Sequence, residues 1–191
     1  MKWWTKKRHI NSPYRGTLSS YGYVLMVIHY LTNIVEPPVL PNLQLFKPPA
    51  NVRPEHVKAE DAGKEYNIWF ERKVSELAPS KNVDSLGELL RGFFEYYAFR
   101  FQWGHTAIAI RREGGIVTKE EKDWVAAKSR PGNDTGSGET WEVKDRYFML
   151  SNSTLYGTDN SRYLLAIEDP FEISHNVGRT CTGPGTYSVT P

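Results

Sequence analysis

The sequence predicts a mostly helical α+β domain, and three observations carry that prediction. Residues 18–34 are apolar almost all round, the pattern of a helix buried in a core. Residues 85–97 open with Ser85 and Glu88 in S-x-x-E register and continue with Leu86, Leu89, Leu90, Phe93, Phe94 and Tyr97 at spacings of three and four. Short β-type runs at 106–110 and 163–167 are closed by Gly114-Gly115 and by Asp169-Pro170.

Taken in order, residues 2–9 are expected to form a helical turn or two that Ser12-Pro13 ends. At the start of the buried helix, either Ser19 or Ser20 can cap the free N–H groups. Prolines within 37–41 and 48–54 predict a rigid, extended connection. Over 60–77, Tyr66, Trp69, Phe70, Val74 and Leu77 recur at helical spacing and predict a further helix. The apolar stripe after the Ser85/Glu88 capping box reads as core. Residues 119–128 read as a short surface helix. The stretch 130–139, RPGNDTGSGE, lacks apolar residues and is rich in turn formers, so about 129–145 reads as a flexible insertion. No internal repeat is visible.

A chain of 191 residues has room for one domain with a sizeable core, and 39% hydrophobic with 24% charged residues is ordinary for a globular protein. The net charge of +2 says little about partners, but Lys2, Lys6, Lys7 and Arg8 concentrate positive charge near one end. Cys181 is the single cysteine, which excludes an internal disulfide and suggests a reducing, intracellular compartment, cytoplasmic or nuclear. The most apolar run, 23–34, is too short to span a bilayer and contains His29, so no membrane partner is expected. Five histidines and one cysteine without clustered spacing argue against zinc. There is no Walker-type phosphate loop and no G-x-S-x-G elbow.

Two regions carry chemistry. Lys2 and Lys6, four apart, share one helix face on which a polyphosphate could bridge their ammonium groups. Residues 167–180 pack Glu168, Asp169, Glu172, His175 and Arg179 around one proline and one glycine, on a loop based on a strand. Taken alone, each also reads as a solvated charged surface.

The linear pattern distinguishes these readings. EDPFEISHNVGRT closely resembles the nucleotide recognition loop of the poly(A)-polymerase-associated domain, found in terminal uridylyltransferases and poly(A) polymerases. KWWTKKRHIN, GTLSSYGYVLM, PPVLPNLQ and SLGELLRGFFEYY are similar to further blocks of that family, in the same order, so the resemblance covers nearly the whole chain.

That resemblance implies a central, substrate-binding domain of the poly(A) polymerase and oligoadenylate synthetase type over 17–180. Residues 1–16 would be its junction with a catalytic domain, and 181–191 a divergent tail. It implies triphosphate binding by Lys2, Lys6 and Ser20, and base stacking on Tyr21. Asp169, Glu172 and His175 match base-contacting positions of the uridylyl branch; a histidine N–H can donate to uracil O4 and crowd a purine. Asn176 and Arg179 are expected either to contact phosphate or RNA or to hold the loop. The implied activity is template-independent addition of nucleotides, chiefly uridylates, to an RNA 3′ end. Poly(A) addition and a non-catalytic nucleotide- or RNA-binding role stay open as alternatives. The implied ligands are UTP or ATP with Mg²⁺ or Mn²⁺. No two aspartates here form D-x-D, so no catalytic or metal-binding residue is assigned to this chain, and the ion's ligands are expected in a separate catalytic domain.

Overall fold

The computed structural model describes residues 1–125 and 163–181. The expected insertion at 129–145, residues 126–128 and the tail beyond 181 lie outside them. The described residues form helices with a few short strands, as the sequence predicts.

Helix α1 spans Lys2–Lys7 and buries Thr5 beneath its exposed lysines. Helix α2, Ser20–His29, starts at Ser19, whose Oγ accepts from the Gly22 N–H at 3.1 Å; of the two candidate caps, Ser19 is the one used. A wider π-helical turn, Tyr30–Ile34, completes the apolar run. Helix α3, Leu86–Glu95, carries both halves of the Ser85/Glu88 capping box and ends in a similar turn, Tyr96–Arg100.

The core lies where α2 meets α3. Tyr30 stands edge-on to Phe93 at 5.7 Å, Phe93 meets Tyr97 at 4.9 Å, and Ile108 and Ile167 fill the space beside them. The apolar stripe of α3 is fully buried only at its C-terminal end, because Leu86 is 83% exposed, Leu90 is exposed as well, and Leu89 packs against the core half-buried.

His29 is buried at the centre of this core. The Tyr97 hydroxyl donates to the Met26 carbonyl at 2.9 Å, so the 2.7 Å contact with His29 has Nδ1–H donating to the Tyr97 oxygen. Burial lowers the histidine's pKa from 6.5 to about 4, which keeps it neutral.

The expected helix at 60–77 is not formed. Lys58–Asp61 (β1) and Lys64–Asn67 (β2) pair as an antiparallel hairpin. Its two-residue turn places Ala62 and Gly63 at φ +48° and +76°, a conformation suited to a tight hairpin and foreign to a helix. Of the five apolar residues behind that expectation, Trp69 alone is buried, with its indole N–H donating to the Phe46 carbonyl at 2.8 Å.

Thr106–Ile108 (β3) and Ile116–Thr118 (β4) form a second antiparallel pair around the expected Gly114-Gly115 turn. The expected strand at 163–167 contracts to its end. Ile167 bridges parallel to Ile108, with the Ile108 N–H donating to Ala166 O at 3.0 Å and the Glu168 N–H donating to Ile108 O at 2.7 Å.

Residues 119–125 form turns instead of the expected surface helix. Lys119 is 1% exposed and its ammonium donates to the Tyr163 carbonyl at 2.7 Å, a long-range contact that local sequence does not announce. No helix among the described residues is long and apolar enough to cross a membrane.

Candidate functional site

The base of the candidate site is a hydrogen-bond chain joining α1 to the first turn of α2. Thr5 Oγ1 donates to Lys2 O at 3.0 Å, and Asn11 Nδ2 donates to Thr5 Oγ1 at 3.3 Å and to Ser20 Oγ at 2.8 Å. The Tyr23 hydroxyl donates to Ile10 O at 3.0 Å. Ser20 thus keeps its own hydroxyl proton for another acceptor. Lys2 and Lys6 are exposed and have no acidic partner among the described residues.

Tyr21 follows Ser20 and is 41% exposed. Burial, and then the charge of the nearby Asp169 carboxylate, push its pKa up to about 12. The start of α2 thus lies near the loop more than a hundred residues away, with the half-exposed Tyr21 close to the Asp169 carboxylate.

The loop is internally tied. One oxygen of Asp169 accepts from the N–H groups of Phe171 at 2.8 Å and Glu172 at 3.0 Å. The Asp169 N–H donates to His175 O at 3.0 Å and the His175 N–H to Glu172 O at 2.8 Å. Asp169 therefore organises the loop as well as facing Tyr21. The Glu172 and His175 side chains are half-buried and make no hydrogen bond or ion pair to described residues.

Asn176 is the loop's internal anchor. Its buried Oδ1 accepts from Ile167 N at 3.0 Å and Gly178 N at 2.8 Å, while Nδ2 donates to Leu165 O at 3.2 Å, so it holds the loop to its strand. Gly178 permits the same closeness, since a Cβ there would lie 2.6 Å from Leu165 O. Arg179 is exposed and pairs with no carboxylate among the described residues.

Sequence reasoning missed Asn11 and Lys122. Lys122 lies beneath the loop, with its ammonium 2.6 Å from the buried Glu168 carboxylate and 2.5 Å from Ile173 O. An N-S-P turn offers no local hint of the first. The second lies 46 residues from its partner within a run of mixed charge.

No group of three His, Cys, Asp or Glu side chains among the described residues could hold a metal ion. The donors assembled here do not fit a two-metal centre.

Comparison with known proteins shows what the chain is similar to. Residues 85–175 match the Cid1 family of poly A polymerases. The chain is 43% identical to the terminal uridylyltransferase cid1 of Schizosaccharomyces pombe over 189 residues, covering 99% of this chain and 39% of that protein. It is 31% identical to the human poly(A) RNA polymerase GLD2 over 161 residues, covering 81% of this chain and 31% of that one. A solved cytoplasmic RNA terminal U-transferase superposes with a TM-score of 0.66 at 41% identity, over 95% of this chain and 44% of the other. Cid1 in complex with the UTP analog UMPNPP gives 0.65 at 41% identity, over 95% and 44%. The chain thus spans less than half the length of each.

Proposed function

Because the chain belongs to the poly(A)-polymerase-associated domain family of terminal uridylyltransferases and poly(A) RNA polymerases, we propose that it is the nucleotide-binding central domain of a template-independent RNA 3′-terminal uridylyltransferase. The observation that carries this reading is the proximity of Tyr21 to Asp169, which brings an aromatic side chain near a loop whose Glu172 and His175 side chains make no hydrogen bond or ion pair to described residues. A base stacked on Tyr21 gains about 1–3 kcal/mol whatever its identity. Selection then falls to the loop: the His175 ring donates to uracil O4 and limits space for a purine, and a carboxylate accepts from uracil N3–H. Lys2, Lys6 and the Ser20 hydroxyl hold the triphosphate, with Arg179 contacting RNA phosphate.

Uridylyl transfer is favoured over adenylyl transfer by His175 and by the higher identity to the uridylyltransferase cid1 than to GLD2. Mg²⁺ would be held by acids of the catalytic domain, outside the groups assembled here.

The test is competitive extension of one RNA primer with equimolar UTP and ATP by this domain joined to the catalytic domain of its own protein. The 191-residue chain alone is expected to give no product with Mg²⁺ or Mn²⁺. Preferential uridylate incorporation supports the reading. Adenylate preference would move the protein to the poly(A) branch, and absence of any extension by the joined domains would leave a binding module.

A further inference from the structure

Lys122 lies in the turns of 119–125 with its side chain 12% exposed, and its ammonium donates to two groups at once, the Glu168 carboxylate at 2.6 Å and Ile173 O at 2.5 Å. We propose that Lys122 is a positioning residue for base recognition. Through Ile173 it sets where Glu172 and His175 stand, and so how sharply the site separates uracil from adenine. This rests on the uridylyl reading for the identity of the bases.

The two bonds have unequal ends. Glu168 is fixed at the strand, its N–H donating to Ile108 O at 2.7 Å and its backbone bridged to Asn176. Its carboxylate is 3% exposed, so its charge holds the ammonium in place. Ile173 lies between Glu172 and Ser174-His175, in the part of the loop that carries the two recognition side chains. The ammonium therefore transmits the position of the strand to the loop tip.

The loop's internal bonds serve a different end. Asp169 Oδ1 accepts from the N–H groups of Phe171 and Glu172, the Asp169 N–H donates to His175 O, and the His175 N–H donates to Glu172 O. These bonds close the loop on itself and give it a shape. The apolar side chains at its tip add little anchorage, since Phe171 and Ile173 are exposed. The bond from Lys122 joins that shape to another element, and a discriminating contact must be held to within about 0.5 Å.

The turn is arranged to present this one side chain. The Trp124 N–H donates to Lys119 O at 2.8 Å and the Asp123 N–H to Glu120 O at 3.0 Å. Asp123, directly after Lys122, takes φ +53°, a left-handed conformation uncommon outside glycine. The Lys122 ammonium also lies 5.3 Å from the centre of the buried Trp124 ring. The Lys119 ammonium fastens the same turn to Tyr163 O at 2.7 Å.

The test separates positioning from charge and from stability. Lys122→Met with Glu168→Leu removes one positive and one negative group, so the net charge beside the site is unchanged and no buried carboxylate is left unpaired. The bond to Ile173 is lost. The variants are made in this chain joined to the catalytic domain of its own protein, with folding checked by urea denaturation. In competitive extension, the double variant is expected to bring the uridylate-to-adenylate ratio about three- to tenfold closer to unity. KM for UTP should rise by a similar factor, with kcat changed less than about twofold. Lys122→Arg keeps the charge and the donors and should stay within about twofold of the wild type. Amide exchange at Phe171, Glu172 and His175 should quicken in the double variant, while that at Ile167 and Val177 holds.

A folded double variant with the wild-type ratio and KM would overturn the proposal. So would a Lys122→Arg defect equal to that of the double variant, or exchange that quickens equally at Ile167. A wild-type preference for adenylate would unseat the uridylyl reading alone, and the ratio should still move towards unity. If the joined domains extend no primer, the exchange pattern decides the positioning role by itself.

Discussion

Lys122 and Glu168 form an ion pair at 2.6 Å beneath the loop, with the carboxylate 3% exposed and the lysine 12%. The same ammonium donates to Ile173 O at 2.5 Å, so one side chain ties the strand end that carries Glu168 to the far limb of the loop. Removing it leaves a buried carboxylate without its counter-charge. Lys122→Ala is expected to lower unfolding stability by about 3–5 kcal/mol, measured by urea denaturation. Lys122→Met with Glu168→Leu should recover much of that loss, because no unpaired charge remains. A loss below about 1 kcal/mol in Lys122→Ala would show that the pair is solvated.

Tyr21 separates stacking from hydrogen bonding. Tyr21→Phe removes the hydroxyl that meets Asp169 and keeps the ring, so UTP affinity should fall modestly. Tyr21→Ala removes the platform and should cost about 1–3 kcal/mol of binding, read by equilibrium titration. Equal effects of the two would assign the tyrosine to loop support alone.

Base choice rests on His175. In the protein with its catalytic domain, His175→Ala is expected to shift incorporation from uridylate towards adenylate by a few kcal/mol of discrimination at most, as one hydrogen bond and a steric wall allow. Competitive extension with equimolar UTP and ATP measures it. An unchanged ratio would make His175 structural.

His29 gives the core a pH dependence whose sign follows from its neutral state. Its pKa is about 4 when folded and 6.5 as a free side chain, so between these values the unfolded chain binds more protons. Stability is therefore full above pH 6.5 and declines as pH falls towards 4, by on the order of 3 kcal/mol. Urea midpoints taken at steps from pH 7 to 4.5 read this slope. The part between pH 6.5 and 5 should vanish in His29→Gln; a slope that persists there would place the titration elsewhere.

Much of the architecture was legible along the chain, wherever a local rule was enough. Ser85 and Glu88 satisfy one another's N–H groups within a single turn, so their spacing alone positions the start of α3. The same holds for the Gly114-Gly115 turn and for the end of the strand at Asp169-Pro170. The family itself was legible because the order of the loop residues and the lysine pair along the chain matches it.

Contacts between distant segments set the rest. Tyr66, Trp69, Phe70, Val74 and Leu77 show helical spacing, yet the Ala62-Gly63 turn and the pairing of Lys58 with Glu65 at 2.8 Å favour a hairpin, and periodicity without a face to bury has no force. Lys119 and Lys122 look like surface charges until the 163–173 segment covers them and supplies carbonyls and a carboxylate. Asn11 joins two helices through Thr5 and Ser20, and Tyr21 meets Asp169, by contacts that form only when the chain has folded. Local sequence selects turns and caps because their partners lie a few residues away. Burial and long-range pairing depend on which segments come to lie against one another, and only the folded chain specifies that.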